Sequence, residues 1–383
     1  MKDLNTKALR DFSDSQQRRA YLESSLHIEL KNISQFSFDE QKVVGSNIEN
    51  LIGAIQIPLG IAGPLNIDGR EYFVPLATTE GALVASISRG MKALNLSDRM
   101  DACIEFVGMT RGPVFETKGI KDSLRIKQLI LANLEKLSKV ASQTSKHIKL
   151  IKADFSCFGK NLFIRFYFDT QDAMGMNMVT LATEKIVQEI EQKLKIKCIS
   201  LAGNFDIDKK PAWLNFINGR GRKVWAEVVM KRKIVEEVLK TTPEKISEIV
   251  YKKCLLGSSA SGSIGFNAHY ANIIAALFIA TGQDSAQVVD GSLGITSSEV
   301  LENGDLYFSI YLPSLEIGTV GGGTNLPTQQ EALKIMGVSG EGKVEEFAKV
   351  IAAGVLAGEL SLIASLAEGS LALAHQKLGR GKK

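Results

Sequence analysis

The chain has 383 residues, 45% of them hydrophobic, which excludes global disorder and is long for one ordinary core. Lys plus Arg total 46 against 42 Asp plus Glu, a formal net charge of +4, so no nucleic-acid footprint is present. Four scattered cysteines (Cys103, Cys157, Cys198, Cys254) without a CxxC pair, and four histidines without HExxH, argue against a zinc site and a disulfide framework and for a reducing compartment.

Met1-Lys2-Asp3 is followed by no apolar h-region, so no signal peptide is expected. Residues 1–45 read as an N-terminal helical segment, with a polar amphipathic helix from Ser13 to Leu30. Gly and Pro punctuation from Glu49 to Leu65 marks tight loops between short apolar strands. Val74 to Ser86 then runs from strand to helix. Thr78 or Thr79 is suited to cap a helix starting near Glu80, with Leu83, Val84 and Ile87 as its apolar face. Glu80 is either a first-turn acid complementing the helix dipole or a functional carboxylate. Arg111 follows in Gly108-Met-Thr-Arg-Gly-Pro113.

The next stretch has a clear order: strand Val114 to Thr117, helix Leu124 to Val140, strand His147 to Phe155, strand Leu162 to Phe168, helix Met174 to Leu194, strand Cys198 to Leu201. This β-α-β-β-α-β order predicts a ferredoxin-like (split βαβ) domain over residues 113–201. It is inserted into a larger mixed α/β domain made of residues 46–112 and 202–383, so the fold class is α+β. Asp172 is a plausible N-cap of the second helix, and Gly175 would let a ligand approach the backbone. Amides at that helix start suit a pyrophosphate. No G-x-G-x-x-G precedes a helix, so the usual dinucleotide fold is not indicated.

Ala202 to Arg222 is the densest stretch. Asp206, Asp208, Lys209 and Lys210 crowd together ahead of Pro211, and they read either as a solvated charged turn or as a site for an anionic ligand. Val224 to Met230 is a strand, and Ile234 to Leu239 and Glu244 to Leu255 are helical. Asn272 to Ala280 is a helix with Asp284 at its C-terminal end, the unfavourable end for a carboxylate, which calls for a nearby cation. Gly318 to Thr324 is a glycine-rich turn. Val344 to about Lys377 is a long Ala-rich helix with His375 in its last turns, where a solvated cation is the plain alternative. The most apolar runs, Ala271 to Ala280 and Val350 to Gly358, are too short to span a bilayer and read as buried helices, with no membrane partner.

Glu49-Asn-Leu-Ile-Gly with Pro58-Leu-Gly-Ile-Ala-Gly-Pro-Leu, Pro75-Leu-Ala-Thr-Thr-Glu-Gly, Gly108-Met-Thr-Arg-Gly-Pro, Asp172-Ala-Met-Gly-Met-Asn-Met, Asp208-Lys-Lys-Pro-Ala, Gly282-Gln-Asp-Ser-Ala-Gln and Glu316-Ile-Gly-Thr-Val-Gly-Gly-Gly-Thr occur in this order. Together they resemble hydroxymethylglutaryl-CoA reductase, from Glu49 to Arg380. The run looks like the class I form, without the membrane anchor of the animal members. The resemblance implies reduction of the thioester to mevalonate and free CoA by two NADPH through a mevaldyl intermediate, in the mevalonate pathway of isoprenoid biosynthesis. A mevalonate-oxidising, NAD-dependent form of the same enzyme is the alternative.

By the same resemblance Lys209 would stabilise the carbonyl oxygen, Glu80 would be the general acid, Asp284 would couple the two, and His375 would protonate the CoA thiolate. Arg111 and Lys210 would meet the substrate carboxylate with Asp208 beside them, Lys253 and Asn272 would line the site, and Arg89 and Lys240 would contact the CoA phosphates. Asp172, Met174, Met176 and the Gly321-Gly322 turn would hold the nicotinamide dinucleotide, and Ser145 and Lys146 its 2′-phosphate. The family further implies a cytoplasmic homo-oligomer, dimer or tetramer, with active sites between subunits. Three departures stand out. Lys146 replaces an Arg and loses its bidentate fork, which leaves NADH possible beside NADPH. Ala202 stands where a Ser is common, and Gly381 where the animal enzymes have a phosphorylated Ser.

Overall fold

The computed structural model describes residues 8–369. Its strands are Leu59–Ile67 (β1), Arg70–Ala77 (β2), Met100–Arg111 (β3), Val114–Glu116 (β4), Lys149–Phe158 (β5), Asn161–Asp169 (β6), Lys197–Ser200 (β7), Arg220–Met230 (β8), Gly265–Phe266 (β9), Gly294–Val300 (β10) and Leu306–Leu315 (β11). The helices that shape the site are Ser15–Leu26 (α1), Leu83–Leu96 (α2), Ile120–Ala132 (α3), Leu134–Ser142 (α4), Met176–Leu194 (α5), Tyr270–Thr281 (α6) and Val344–Glu368 (α7). β3, β10 and β11 lie in stretches to which sequence reading assigned no element.

β1 and β2 form a hairpin of their own. The other strands form one sheet in the order β7-β4-β6-β3-β8-β11-β10-β9, with β5 on β6. β3 joins its two halves. Met100 to Gly108 pair with β8, while Met109 to Arg111 pair with β6. The half containing β7, β4, β6 and β5 is antiparallel throughout and has the ferredoxin-like order. Ile126, Ile130, Leu137, Val179, Ile186 and Ile190 of its helices pack on Phe115, Ile164, Phe166 and Phe168 of its strands. The architecture is thus α+β, with this small unit inserted between β3 and β8. The single helix expected over 124–140 is broken at Asn133. There the side-chain amide donates to the Leu129 carbonyl at 2.8 Å and the backbone leaves helical geometry.

The larger core surrounds α7. Every residue from Val350 to Ser361 is buried, which is the signature of a central helix rather than a surface one. α7 as a whole has 25 residues and an 18-residue window of mean hydropathy 2.0, so the helix, unlike the short Val350 to Gly358 run within it, is long and apolar enough to cross a membrane. Its apolar window is 83% buried within the fold. α2 crosses it at Gly90, where an added Cβ would lie 1.9 Å from the Ala357 carbonyl oxygen.

Alanine is intrinsically the better helix residue by about 1 kcal/mol. Gly90→Ala should nevertheless destabilise the protein by roughly 1–3 kcal/mol, because the two helix backbones must separate. Urea unfolding at fixed protein concentration measures this, and a stabilised variant contradicts the close crossing.

Candidate active site

After β7 the chain enters a loop in which Asn204, Ile207 and Lys209 adopt left-handed backbone, at φ 59°, 51° and 59°. The loop turns Asp208 inward and Lys209 outward. Asp208 Oδ1 accepts from Gln287 Nε2 at 3.0 Å and lies 3.1 Å from Arg220 Nη1. The Lys209 ammonium is 2.7 Å from Asp284 Oδ2. Asp284 sits beyond the Gly282 cap of α6 and also accepts the Ala286 N–H at 3.0 Å, so the cation called for at this position is Lys209. Arg111 Nη1 reaches Asp206 at 3.4 Å and Asp208 at 4.0 Å. Lys210 is exposed and donates to the Asp208 carbonyl.

Beneath the loop lies Arg220, whose side chain has no exposed surface. Besides Asp208, its Nη1 lies 3.5 Å from Asp290 and 3.7 Å from Glu316. Nε donates to Thr110 Oγ1 at 2.8 Å, and Nη2 contacts Met176 Sδ at 3.0 Å. Burial pushes the Glu316 carboxyl well above its usual range, with Arg220 opposing but not cancelling the effect. Burial likewise raises Asp290 and Asp206. Burial acts on Asp208 too, yet Arg220, Gln287 and Lys209 outweigh it and hold this carboxyl below its ordinary value. One guanidinium cannot neutralise three adjacent carboxylates, so the network favours the protonated form of Glu316 and the ionised form of Asp208. Arg220, Gln287, Asp290, Glu316 and Asn215 were not singled out as site residues. A signal existed for Arg220. The alternation of buried Val224, Ala226, Val228 and Met230 extrapolates back to Arg222 and Arg220 on the inner face of β8.

The glycine turn packs on the loop before α5. Gln283 brackets Gly318, accepting its N–H at 2.8 Å and donating to its carbonyl at 3.0 Å. Thr319 N–H donates to the Asp172 carbonyl at 2.8 Å, and a Cβ on Gly318 would come within 2.5 Å of Met174 N. Gly321 and Gly322 have φ of 78° and 54° with open space where a Cβ would be. Two expectations are corrected. The N-cap of α5 is Gly175, at φ 82°, and its missing Cβ clears Thr170 rather than a ligand. The Asp172 carboxylate instead accepts the Gly342 and Val344 amides at 2.9 and 3.3 Å, capping α7. A cleft of about 910 Å³ opens beside Gln171, lined by Lys139, Lys146, His147 and Lys149. His147 Nδ1 and Gln171 Oε1 are 2.7 Å apart, and Ser145 Oγ accepts the His147 N–H.

Glu80 stands elsewhere. α2 begins only at Leu83, and Glu80 sits in the turn ahead of it, its N–H bound to Thr78 Oγ1 at 3.0 Å. The first-turn reading therefore fails. Asn272 Nδ2 donates to Glu80 Oε2 at 2.9 Å. Asn272, Lys253 and His269 line a second cleft of about 1010 Å³, with Lys253 on the π-helical turns of Val250–Gly257. Asn272 lies in the first turn of α6 and Asp284 beyond its last, so helical rise alone separates them by about 14 Å. Among the described residues no ion pair joins Glu80 to Lys209, so the expected coupling of the two through Asp284 is not made within one chain. Arg89 is taken up by α7, donating to Ser361 Oγ at 3.0 Å and to the Ser361 carbonyl and Ser365 hydroxyl. Lys240 is exposed at the end of Val235–Leu239. His375 lies outside the described residues.

A carboxylate-held ammonium, a glycine turn and a helix start meet in an α+β fold, an arrangement suited to an enzyme acting on an anionic ligand. A family profile described as hydroxymethylglutaryl-coenzyme A reductase matches residues 14–380. The chain is 50% identical over 373 residues to the 3-hydroxy-3-methylglutaryl-coenzyme A reductase of Methanocaldococcus jannaschii, covering 95% of this chain and 92% of that one. It is 41% identical over 377 residues to 3-hydroxy-3-methylglutaryl coenzyme A reductase 1 of Cannabis sativa, covering 96% of this chain and 66% of that one. The chain belongs to the hydroxymethylglutaryl-coenzyme A reductase family. Its fold is shared by the class II reductase of Streptococcus pneumoniae bound to NADPH, at TM-score 0.70 and 19% identity, covering 92% of this chain and 97% of that one.

Glu316 keeps in the folded chain a proton that the unfolded chain releases near 4.5. Its contribution to stability is whole below that value and is lost as pH rises toward the raised folded value. Relative to Glu316→Gln, the wild type should lose up to about 1.4 kcal/mol per pH unit above roughly pH 5. Urea unfolding of both proteins across pH 5–8 reads this out, and a difference that does not change with pH contradicts a neutral Glu316.

Proposed function

We propose that the protein reduces (S)-3-hydroxy-3-methylglutaryl-CoA to (R)-mevalonate and CoA with two NADPH, in a cytoplasmic mevalonate pathway. The observation that carries this reading is the Lys209 ammonium 2.7 Å from Asp284, beside the Asp172 to Met176 loop and the glycine turn. A fixed cation of this kind stabilises the oxyanion that forms as a carbonyl is reduced, a donor worth about 10² to 10³ in rate. Asp284 orients the ammonium. Arg111 and Lys210 lie at the same spot and suit a substrate carboxylate, with Asp208 beside them. Glu80, oriented by Asn272, supplies the proton, with Lys253 in the same cleft. His375 is kept as the acid for the departing thiolate, with Arg89 and Lys240 as CoA contacts.

NADPH, when bound, supplies the reducing equivalents. The residues present fit it. The cleft with Lys146, Lys139 and Lys149 adjoins Gln171, and from there the chain leads through Asp172, Met174 and Met176 to the α5 start and to Gly321 and Gly322. Those cations, with Ser145, suit the 2′-phosphate. The division of labour follows the two hydrophobic cores, with residues 113–201 holding the cofactor and residues 46–112 and 202–383 the thioester. The class I-like assignment stays part of the proposal and rests on the run of motifs from Glu49 to Thr324. The four thiols are free, in keeping with a reducing compartment.

The active site in this proposal spans two subunits, the Lys209–Asp284 pair of one facing the Glu80–Asn272 pair of the other. The separation of the two pairs along α6 supports it. So do the exposed Trp213, Ile217 and Val229, on and beside the sheet face that carries the stacked Trp225 and Tyr311 rings.

Purified protein should consume NADPH only with this thioester present, and Lys209→Ala should abolish consumption. Consumption unchanged by Lys209→Ala rejects the mechanism. Lys146→Ala should raise the KM for NADPH more than that for NADH, and assays of both cofactors in both directions settle preference and direction. Mixing inactive Lys209→Ala and Glu80→Gln subunits under exchange should restore roughly a quarter of wild-type activity, since a mixed dimer carries one intact site. Absence of any recovery in mixed dimers rejects the shared site.

A further inference from the structure

One short segment holds Lys209 at both ends. Asp284 takes its ammonium, and Asp290, on the Val288–Gly291 turn of helix, takes its backbone N–H at 2.9 Å. The backbone contact falls where the chain is strained. Ile207 and Lys209, on either side of Asp208, are both left-handed at φ 51° and 59°. That conformation costs a non-glycine residue about 1–2 kcal/mol, and it persists only where surrounding groups over-determine it.

Both strained residues are fixed by the same buried pair. Asn215 Nδ2 donates to the Ile207 carbonyl at 2.9 Å and to Asp290 Oδ1 at 3.2 Å. The other Asp290 oxygen receives the Lys209 N–H. Asn215 is itself oriented, because its Oδ1 accepts from Arg165 Nη2 at 2.8 Å. Arg220, 3.5 Å away, neutralises part of the Asp290 charge. Asp290 and Asn215 have no exposed surface, so neither meets a substrate directly.

We propose that Asp290, clamped by Asn215, is a positioning residue for the reaction. It holds the left-handed backbone around Asp208, so that one carboxylate turns in to Arg220 while the next ammonium turns out to Asp284. This rests on the reading of Lys209 as the carbonyl-stabilising cation. Without the clamp the loop relaxes toward right-handed geometry and swings the ammonium off its mark.

The test measures steady-state NADPH consumption with 3-hydroxy-3-methylglutaryl-CoA for Asp290→Ala, Asp290→Asn and Lys209→Ala. Thermal unfolding and NADPH binding serve as controls for folding. Asp290→Ala should lower kcat about 10²-fold, the usual loss for a misplacement of about 1 Å. Its KM for the thioester should stay within about threefold, as expected when only transition-state placement is lost. Asp290→Asn keeps an oxygen for the Lys209 N–H and should recover at least about tenfold of that loss. A near-normal kcat in Asp290→Ala beside a dead Lys209→Ala overturns the positioning role and leaves the parent reading standing. Full activity in Lys209→Ala overturns the parent reading itself. Equal losses in Asp290→Ala and Asp290→Asn, shared between kcat and KM, point to the buried charge alone and also overturn the proposal. If Asp290→Ala does not fold, Asn215→Ser takes its place, and a kcat left unchanged by it has the same force against the clamp.

Discussion

The Arg220 guanidinium carries one positive charge and lies against Asp208, Asp290 and Glu316, at 3.1, 3.5 and 3.7 Å. These carboxyls come from the loop after β7, the turn after α6 and the strand end after β11. A fully buried cation without partners would cost several kcal/mol, so the folded state must bring those segments together around it. A further neighbour, Met176, opens α5 of the small unit. A single side chain thereby joins the loop bearing Lys209, the segment bearing Asp284, the glycine turn and the helix start of the small unit. The charge balance has a chemical consequence. Asp208 at the mouth of the network is pushed toward its charged form, while Glu316 at its floor is pushed toward its protonated one.

α7 is the second long-range constraint. Its first amide, Val344 N–H, and that of Gly342 just ahead of it are accepted by Asp172, from the loop between β6 and α5, and Arg222 adds bonds to Glu345 and to the Gln171 carbonyl. Its middle is buried on all sides. A buried carboxylate within it, Glu359, accepts the Ala268 N–H, the His269 N–H and ring, and the Thr296 hydroxyl, and so fixes the start of α6. Asn272 follows three residues on and holds Glu80. One helix thus spaces the Asp172 loop at its beginning from the Glu80 cleft along its length.

Much of this was legible in the residues, for identifiable reasons. The small unit was readable because its strands and helices carry their own periods and pack on each other locally. The pairing of Asp284 with a cation followed from a carboxylate at the wrong end of a helix. The motifs from Glu49 to Gly323 identified the family. Other features were not legible. Asp172 looked like a cap for the helix beside it, yet it caps a helix that begins at Val344. Glu80 looked like a first-turn residue, yet Ala82, at φ 78°, starts the helix later. The bonds of Arg89 to Ser361 and Ser365 of α7 were not apparent either. Each of these depends on a partner more than 100 residues away or on a backbone angle that side-chain pattern does not encode.

By itself, then, the chain determined the elements with local period, the α+β class, the inserted small unit and the identity of the charged loop, because these depend on spacing within one segment. Tertiary structure alone decided which carboxyls share Arg220, which of them keeps a proton, and that Lys209 is held at both ends by the 284–290 segment. It also decided that Glu80 and Asp284 stand at opposite ends of α6. Burial and Coulomb interaction depend on distance in space, and no spacing along the chain carries that information.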